Sequence, residues 1–148
     1  MSQPISVSAE NPRCLVVMYH YVIDAAHPFP RLKGITFDRF REQVEELGRH
    51  FTFISLSEFA RYCRGEGNIP ERSCVLTFDD GLKEHARIVS PYLASREIRA
   101  TFHVITAPLE STRLLSVHKL QLLMVDLGIQ KLHGMLNQFL SREEHELF

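Results

Sequence analysis

Asp79 and Asp80 stand side by side in the segment Thr77-Phe78-Asp79-Asp80-Gly81. Two adjacent carboxylates can divide hydrolytic work. One coordinates a divalent metal, and the other takes a proton from a bound water. The glycine that follows lets the chain turn while both side chains stay near the turn. A bare Asp-Asp-Gly triplet is more often a polar turn than a site, so its position decides its meaning. It ends the apolar run Cys74-Val75-Leu76-Thr77-Phe78, which reads as a strand. In parallel α/β architectures, functional groups gather at the carboxyl ends of strands. His20 has the same placement, directly after Cys14-Leu15-Val16-Val17-Met18-Tyr19. It could contact substrate or move a proton. A loop histidine bonded to nearby backbone fits the sequence equally well.

These residues need elements to hold them. Cys14–Tyr19 is a short continuous apolar run, expected to be a buried strand. A loop containing Pro28 and Pro30 follows. Phe37, Phe40, Val44 and Leu47 then repeat at helical spacing, with Thr36 or Asp38 near the start and Gly48 as the stop. The segment 51–56 is a second strand. Ser57 caps a short helix that ends at Gly65. Cys74–Phe78 is the third strand. Lys83–Ser95 reads as a helix interrupted at Pro91, unless Ser90 caps a fresh one. Arg99–Ile105 is the fourth strand. Strands alternating with helices predict an α/β fold with a parallel sheet. The last third is leucine-rich from Leu114 to Leu140 and reads as two helices separated near Gly128. Ser141-Arg142-Glu143-Glu144 has the form of a capping box and announces another helix.

Three segments together resemble the polysaccharide deacetylase family, the carbohydrate esterases that remove acetyl groups from sugars. They are Val16-Val17-Met18-Tyr19-His20-Tyr21-Val22, the stretch from Ile35-Thr36-Phe37-Asp38-Arg39-Phe40 to Thr77-Phe78-Asp79-Asp80-Gly81, and Ile98-Arg99-Ala100-Thr101-Phe102-His103-Val104. The resemblance covers residues 14–105. It implies a partial, distorted (β/α) barrel carrying a C-terminal helical segment. It makes Asp79 the catalytic base and Asp80 a metal ligand. The implied reaction is metal-assisted hydrolysis of an acetamide, with a divalent metal, zinc first, stabilising the oxyanion. The implied substrate is an N-acetylated sugar or polysaccharide.

Departures from the family pattern limit that reading. Its second motif has two histidines four residues apart. The histidines here are 20, 27, 50, 85, 103, 118, 133 and 145, and none are so spaced. His118 lies alone in a leucine-patterned helix and reads as a packing or surface residue. His103 replaces an aromatic residue usual in the family and reads as a core or sheet-face histidine, and His85 as a helix-surface residue. One carboxylate is a poor zinc site, since catalytic zinc takes three protein ligands. Tight metal binding by this chain alone is therefore not expected. The expected organisation is a polar tail at 1–13 and a truncated deacetylase-like domain at 14–148. Residues 114–148 form a helical insertion or divergent tail. The competing reading is a non-catalytic module that binds a glycan or protein partner. A phosphoesterase using Asp79 and Asp80 finds no support in a Gly-rich phosphate loop.

Bulk properties exclude other classes. The net charge is −1, without a basic patch for nucleic acid. Three cysteines, with no Cys-x-x-Cys pair, argue against a disulfide framework or a structural zinc; Cys14 and Cys74 read as small core residues. No apolar run is long enough for a membrane span, and the N-terminus does not read as a secretory signal, so a cytoplasmic location is expected. A half-barrel also leaves a sheet edge open, which predicts self-association.

Overall fold

The computed structural model of the chain describes residues 13–24, 29, 32–111 and 114–146. The expected polar tail, apart from Arg13, and the loop at Pro28 and Pro30 lie outside these residues. The chain divides into two compact units, one formed by residues up to 25 with 34–105, the other by 26–33 with the residues from 106 onward.

The first unit contains, in order, β1 (Arg13–Tyr19), β2 (Val22–Ile23), β3 (Ile35–Thr36), α1 (Phe37–His50), β4 (Thr52–Phe53), α2 (Leu56–Cys63) and β5 (Arg72–Phe78). A π-helical turn (His85–Val89), α3 (Ser90–Ser95) and β6 (Ala100–Phe102) complete it. β5 is the central strand. β1 runs parallel along its whole length, from Arg13 opposite Arg72 to Tyr19 opposite Phe78. β4 pairs with the start of β5 and β6 with its end, both parallel. β2 and β3 form a separate parallel pair. The architecture is thus α/β with a parallel sheet, as expected; among the described residues the strands form open sheets rather than a closed barrel.

β5 is buried from Ser73 to Phe78, which is why its run is continuously apolar. β1 has a similar composition and a different fate. Leu15, Val16 and Met18 are 39%, 48% and 59% exposed, so the expectation of a buried strand is corrected. Among the described residues β1 has a partner on one edge only. The core gathers where α1 crosses the sheet. Phe40 and Val44 are buried there with Tyr19, Leu76, Phe78, Val89 and Leu93. Phe40 meets Tyr19 and Phe78 edge-on, at centroid distances of 5.1 and 5.8 Å, a preferred arrangement of aromatic rings.

Helix boundaries follow side-chain chemistry. Thr36 caps α1, its hydroxyl accepting from the Arg39 N–H at 3.4 Å. The helix does not stop at Gly48 but continues to His50. The second strand is shorter than expected, because Leu56 already belongs to α2. Ser55, not Ser57, caps α2: its hydroxyl accepts from the Glu58 N–H, and Glu58 accepts from the Ser55 N–H at 2.7 Å. Gly65 follows the end of α2 with φ 73°, a left-handed conformation suited to glycine. Pro91 does not break its helix. Just ahead of it the Ser90 N–H bonds to the His85 carbonyl, five residues back. This wider turn accommodates a residue that lacks an N–H and crowds the preceding turn.

The second unit holds α4 (Ala107–Glu110), α5 (Ser116–Leu127) and α6 (Ile129–Glu146). Gly128, at φ 77°, separates α5 from α6, as the leucine pattern predicts. No fresh helix starts at Ser141, because α6 runs through it to Glu146. Among the described residues, no helix is long and apolar enough to cross a membrane.

Candidate active site at the carboxyl ends of the strands

Three parallel strands end level with one another. Tyr19 of β1 pairs with Phe78 of β5, and Phe78 with Phe102 of β6. Their rings stack in a row, with centroids 5.3 and 4.9 Å apart and 19° between planes in each pair. Side chains alternate along a strand. The next residue of each strand therefore departs from this aromatic row, and those residues are His20, Asp79 and His103. The backbone fixes them: the Asp79 N–H donates to the Tyr19 carbonyl at 3.0 Å, and the His103 N–H to the Phe78 carbonyl at 2.8 Å.

The side chains converge on the Asp79 carboxylate. His103 Nδ1 lies 2.8 Å from Asp79 Oδ1, a hydrogen bond. His20 Nε2 lies 3.9 Å from Oδ2, close enough for an ion pair if protonated but too far for a hydrogen bond. The Asp79 side chain is 28% exposed, so it is accessible without being fully solvated. Asp80 and Gly81 follow with φ of 75° and 63°. Asp is among the few non-glycine residues that tolerate this left-handed region. A Cβ at Gly81 would meet Val104 Cγ1 at 2.9 Å, so glycine is required for space as well as for conformation.

Side-chain hydrogen bonds of His85 and Tyr19 anchor this row. His85 is buried, and its Nε2 lies 2.7 Å from the His20 carbonyl. A carbonyl only accepts, so Nε2 carries the proton there. The His85 ring also packs edge-on against Phe78 at 5.4 Å. Tyr21 neighbours Asp80: burial first, and then the Asp80 charge, push its phenol pKa up. Tyr19 is anchored by its hydroxyl, which donates to Gln43 Oε1 at 3.0 Å. Burial, with a smaller contribution from Cys74, raises its pKa to about 12.

The predicted site residues His20 and Asp79 thus come together, with Asp80 next in the chain. His103 and His85 need correction. His103 is neither in the strand nor in the core: β6 stops at Phe102, and the His103 side chain is 54% exposed. His85, expected on a helix surface, is 3% exposed. Neither cue was complete in the sequence. His103 showed only as an unusual residue for its position, and His85 is buried at the start of a π-helical turn that the sequence pattern does not announce. His118 is half-buried on α5. Among the described residues, no group of three His, Cys, Asp or Glu side chains is placed to hold a metal ion. Cys74 is buried, Cys14 half-buried and Cys63 exposed.

A family model described as polysaccharide deacetylase matches residues 66–144, which include the Asp79–Asp80 turn and most of α4–α6. No curated protein matches the sequence significantly. Several solved structures resemble it. A de-N-acetylase from Aggregatibacter actinomycetemcomitans is 21% identical with a TM-score of 0.56, over 69% of this chain and 42% of that one. IcaB from Ammonifex degensii is 27% identical with a TM-score of 0.56, over 64% and 39%. The deacetylase PplD from Streptococcus pyogenes, in complex with acetate, is 21% identical with a TM-score of 0.53, over 80% and 53%. This chain therefore spans 39–53% of the length of these structures. At 21% identity, the first and third bear on the fold alone.

Proposed function

The chain belongs to the polysaccharide deacetylase family, and on that premise we propose that it forms part of a hydrolase that removes acetyl groups from N-acetylated sugars or polysaccharide. The observation that carries this reading is the Asp79 carboxylate at the end of the central strand, hydrogen-bonded by His103 and followed by Asp80. Asp79 is the general base, taking the proton of the water that attacks the acetyl carbonyl. In this reading His20, whose Nε2 lies 3.9 Å from Oδ2, contacts substrate or shares that proton.

Family chemistry implies a divalent metal, with zinc first, that polarises the carbonyl, and Asp80 is the ligand proposed from this chain. The described residues do not complete such a site: they offer no group of three possible ligands, where a catalytic zinc takes three. Their own contribution is proton transfer and positioning. The same observation favours a second reading, a deacetylase-like module that binds a glycan or protein without catalysis.

The two readings separate on one measurement, acetate release from N-acetylated chitooligosaccharide and from acetylated xylan by the full-length protein. Catalysis predicts release that falls at least about 100-fold in Asp79→Asn, the low end of what general-base catalysis contributes. No release from either substrate sinks the catalytic reading and leaves the binding module, whereas an Asp79→Asn variant as active as the parent keeps catalysis and removes Asp79 as its base.

A further inference from the structure

We infer that His103 is the positioning residue of Asp79: it engages Oδ1 and leaves Oδ2 as the oxygen that accepts the proton. This rests on the deacetylase reading above and deepens it. The two carboxylate oxygens have different neighbours. Oδ1 lies at hydrogen-bond distance from His103 Nδ1, 2.8 Å, whereas His20 stands 3.9 Å from Oδ2. A carboxylate only accepts, so Nδ1 of His103 carries the proton in this bond. Oδ1 is thereby committed, and Oδ2 keeps its lone pairs for an incoming water.

His103 is built for this task. Its backbone N–H makes the last sheet bond, to the Phe78 carbonyl at 2.8 Å, one residue before Asp79. Both ends of the interaction are therefore anchored in the same strand register, Phe78 opposite Phe102. The His103 side chain is 54% exposed, so packing does not account for its orientation. The bond to Asp79 does. A carboxylate held in one rotamer has less freedom to lose when it meets substrate, which is how preorganised bases gain rate. His85 performs a separate task, since its Nε2 holds the backbone of His20 rather than a carboxylate.

The test uses the full-length protein with His103→Phe and His103→Asn. Asparagine offers an N–H near the position of Nδ1; phenylalanine offers none. With N-acetylated chitooligosaccharide, His103→Phe is expected to lower kcat about 10- to 100-fold with KM within about twofold, the scale of a misplaced catalytic group. His103→Asn is expected to restore most of that loss. Nitrogen-15 spectra of the imidazoles give a readout independent of turnover: His103 is expected as the Nδ1-protonated tautomer, reverting in Asp79→Ala. An active parent whose His103→Phe variant keeps its kcat overturns the inference, as does an Nε2-protonated His103 in the parent. Failure of His103→Asn to restore any rate also counts against it. An inactive parent overturns the deacetylase reading, and with it the base that His103 serves.

Discussion

At residue scale, the turn after β5 concentrates backbone strain next to the catalytic candidate. Asp80 and Gly81 occupy the left-handed region one after the other. Strain of this kind persists where surrounding structure enforces it, and it clusters at functional sites. Gly81→Ala adds a left-handed penalty of about 1–2 kcal/mol. It also adds contacts at 2.9 Å to Val104 Cγ1 and 3.3 Å to its Cα, and the second is backbone that yields poorly. The variant is expected to lose about 2 kcal/mol in urea unfolding; a midpoint within error of the parent would show that the turn relaxes freely. Asp79, Asp80 and His20 were legible in the sequence because each sits at an abrupt end of an apolar run. The partnership of Asp79 with His103 was not. It depends on where β6 stops, and β6 stops at Phe102 because its partner β5 ends at Phe78. That limit lies in a segment 24 residues away and leaves no local mark.

At element scale, periodicity predicted existence better than boundaries. α1, β5 and the division of α5 from α6 at Gly128 follow directly from spacing and glycine placement. The cap of α2 lies two residues before the expected Ser57: Ser55 and Ser57 are chemically alike, and only Ser55 stands three residues before Glu58. That reciprocal pair satisfies two N–H groups that the helix leaves without partners. Ser55→Ala is therefore expected to cost about 1 kcal/mol, and Ser57→Ala less than about 0.5 kcal/mol. Thermal or urea melts of the two variants check this, and equal losses would reject Ser55 as the cap. β1 shows a different limit. Its apolar run resembles that of β5, yet among the described residues one strand lies at an edge and the other at the centre. Composition reports that a strand is apolar; which neighbours it acquires is decided by the rest of the sheet.

At the scale of the molecule, each unit exposes large apolar side chains. In the first, Val16 and Met18 of β1 are 48% and 59% exposed on a strand that has a partner on one edge only among the described residues. In the second, Ile129, Phe139 and Leu140 of α6 are 66%, 59% and 56% exposed, and Leu120 and Leu123 of α5 are each 45% exposed. Open edges recruit further strands, and contiguous apolar patches recruit other surfaces. The 148-residue chain alone is therefore expected to self-associate at micromolar concentration, read by light scattering as a mass above that of one chain. Two substitutions locate the cause. Val16→Lys places a charge on the β1 edge, a device by which natural edges resist pairing, whereas Phe139→Lys breaks the apolar face of α6. If the edge drives association, Val16→Lys shifts the chain toward monomer and Phe139→Lys does not; if the helices drive it, the order reverses. A monodisperse monomer in the unsubstituted chain would sink the prediction, because the exposed surfaces named here would then have no measurable consequence.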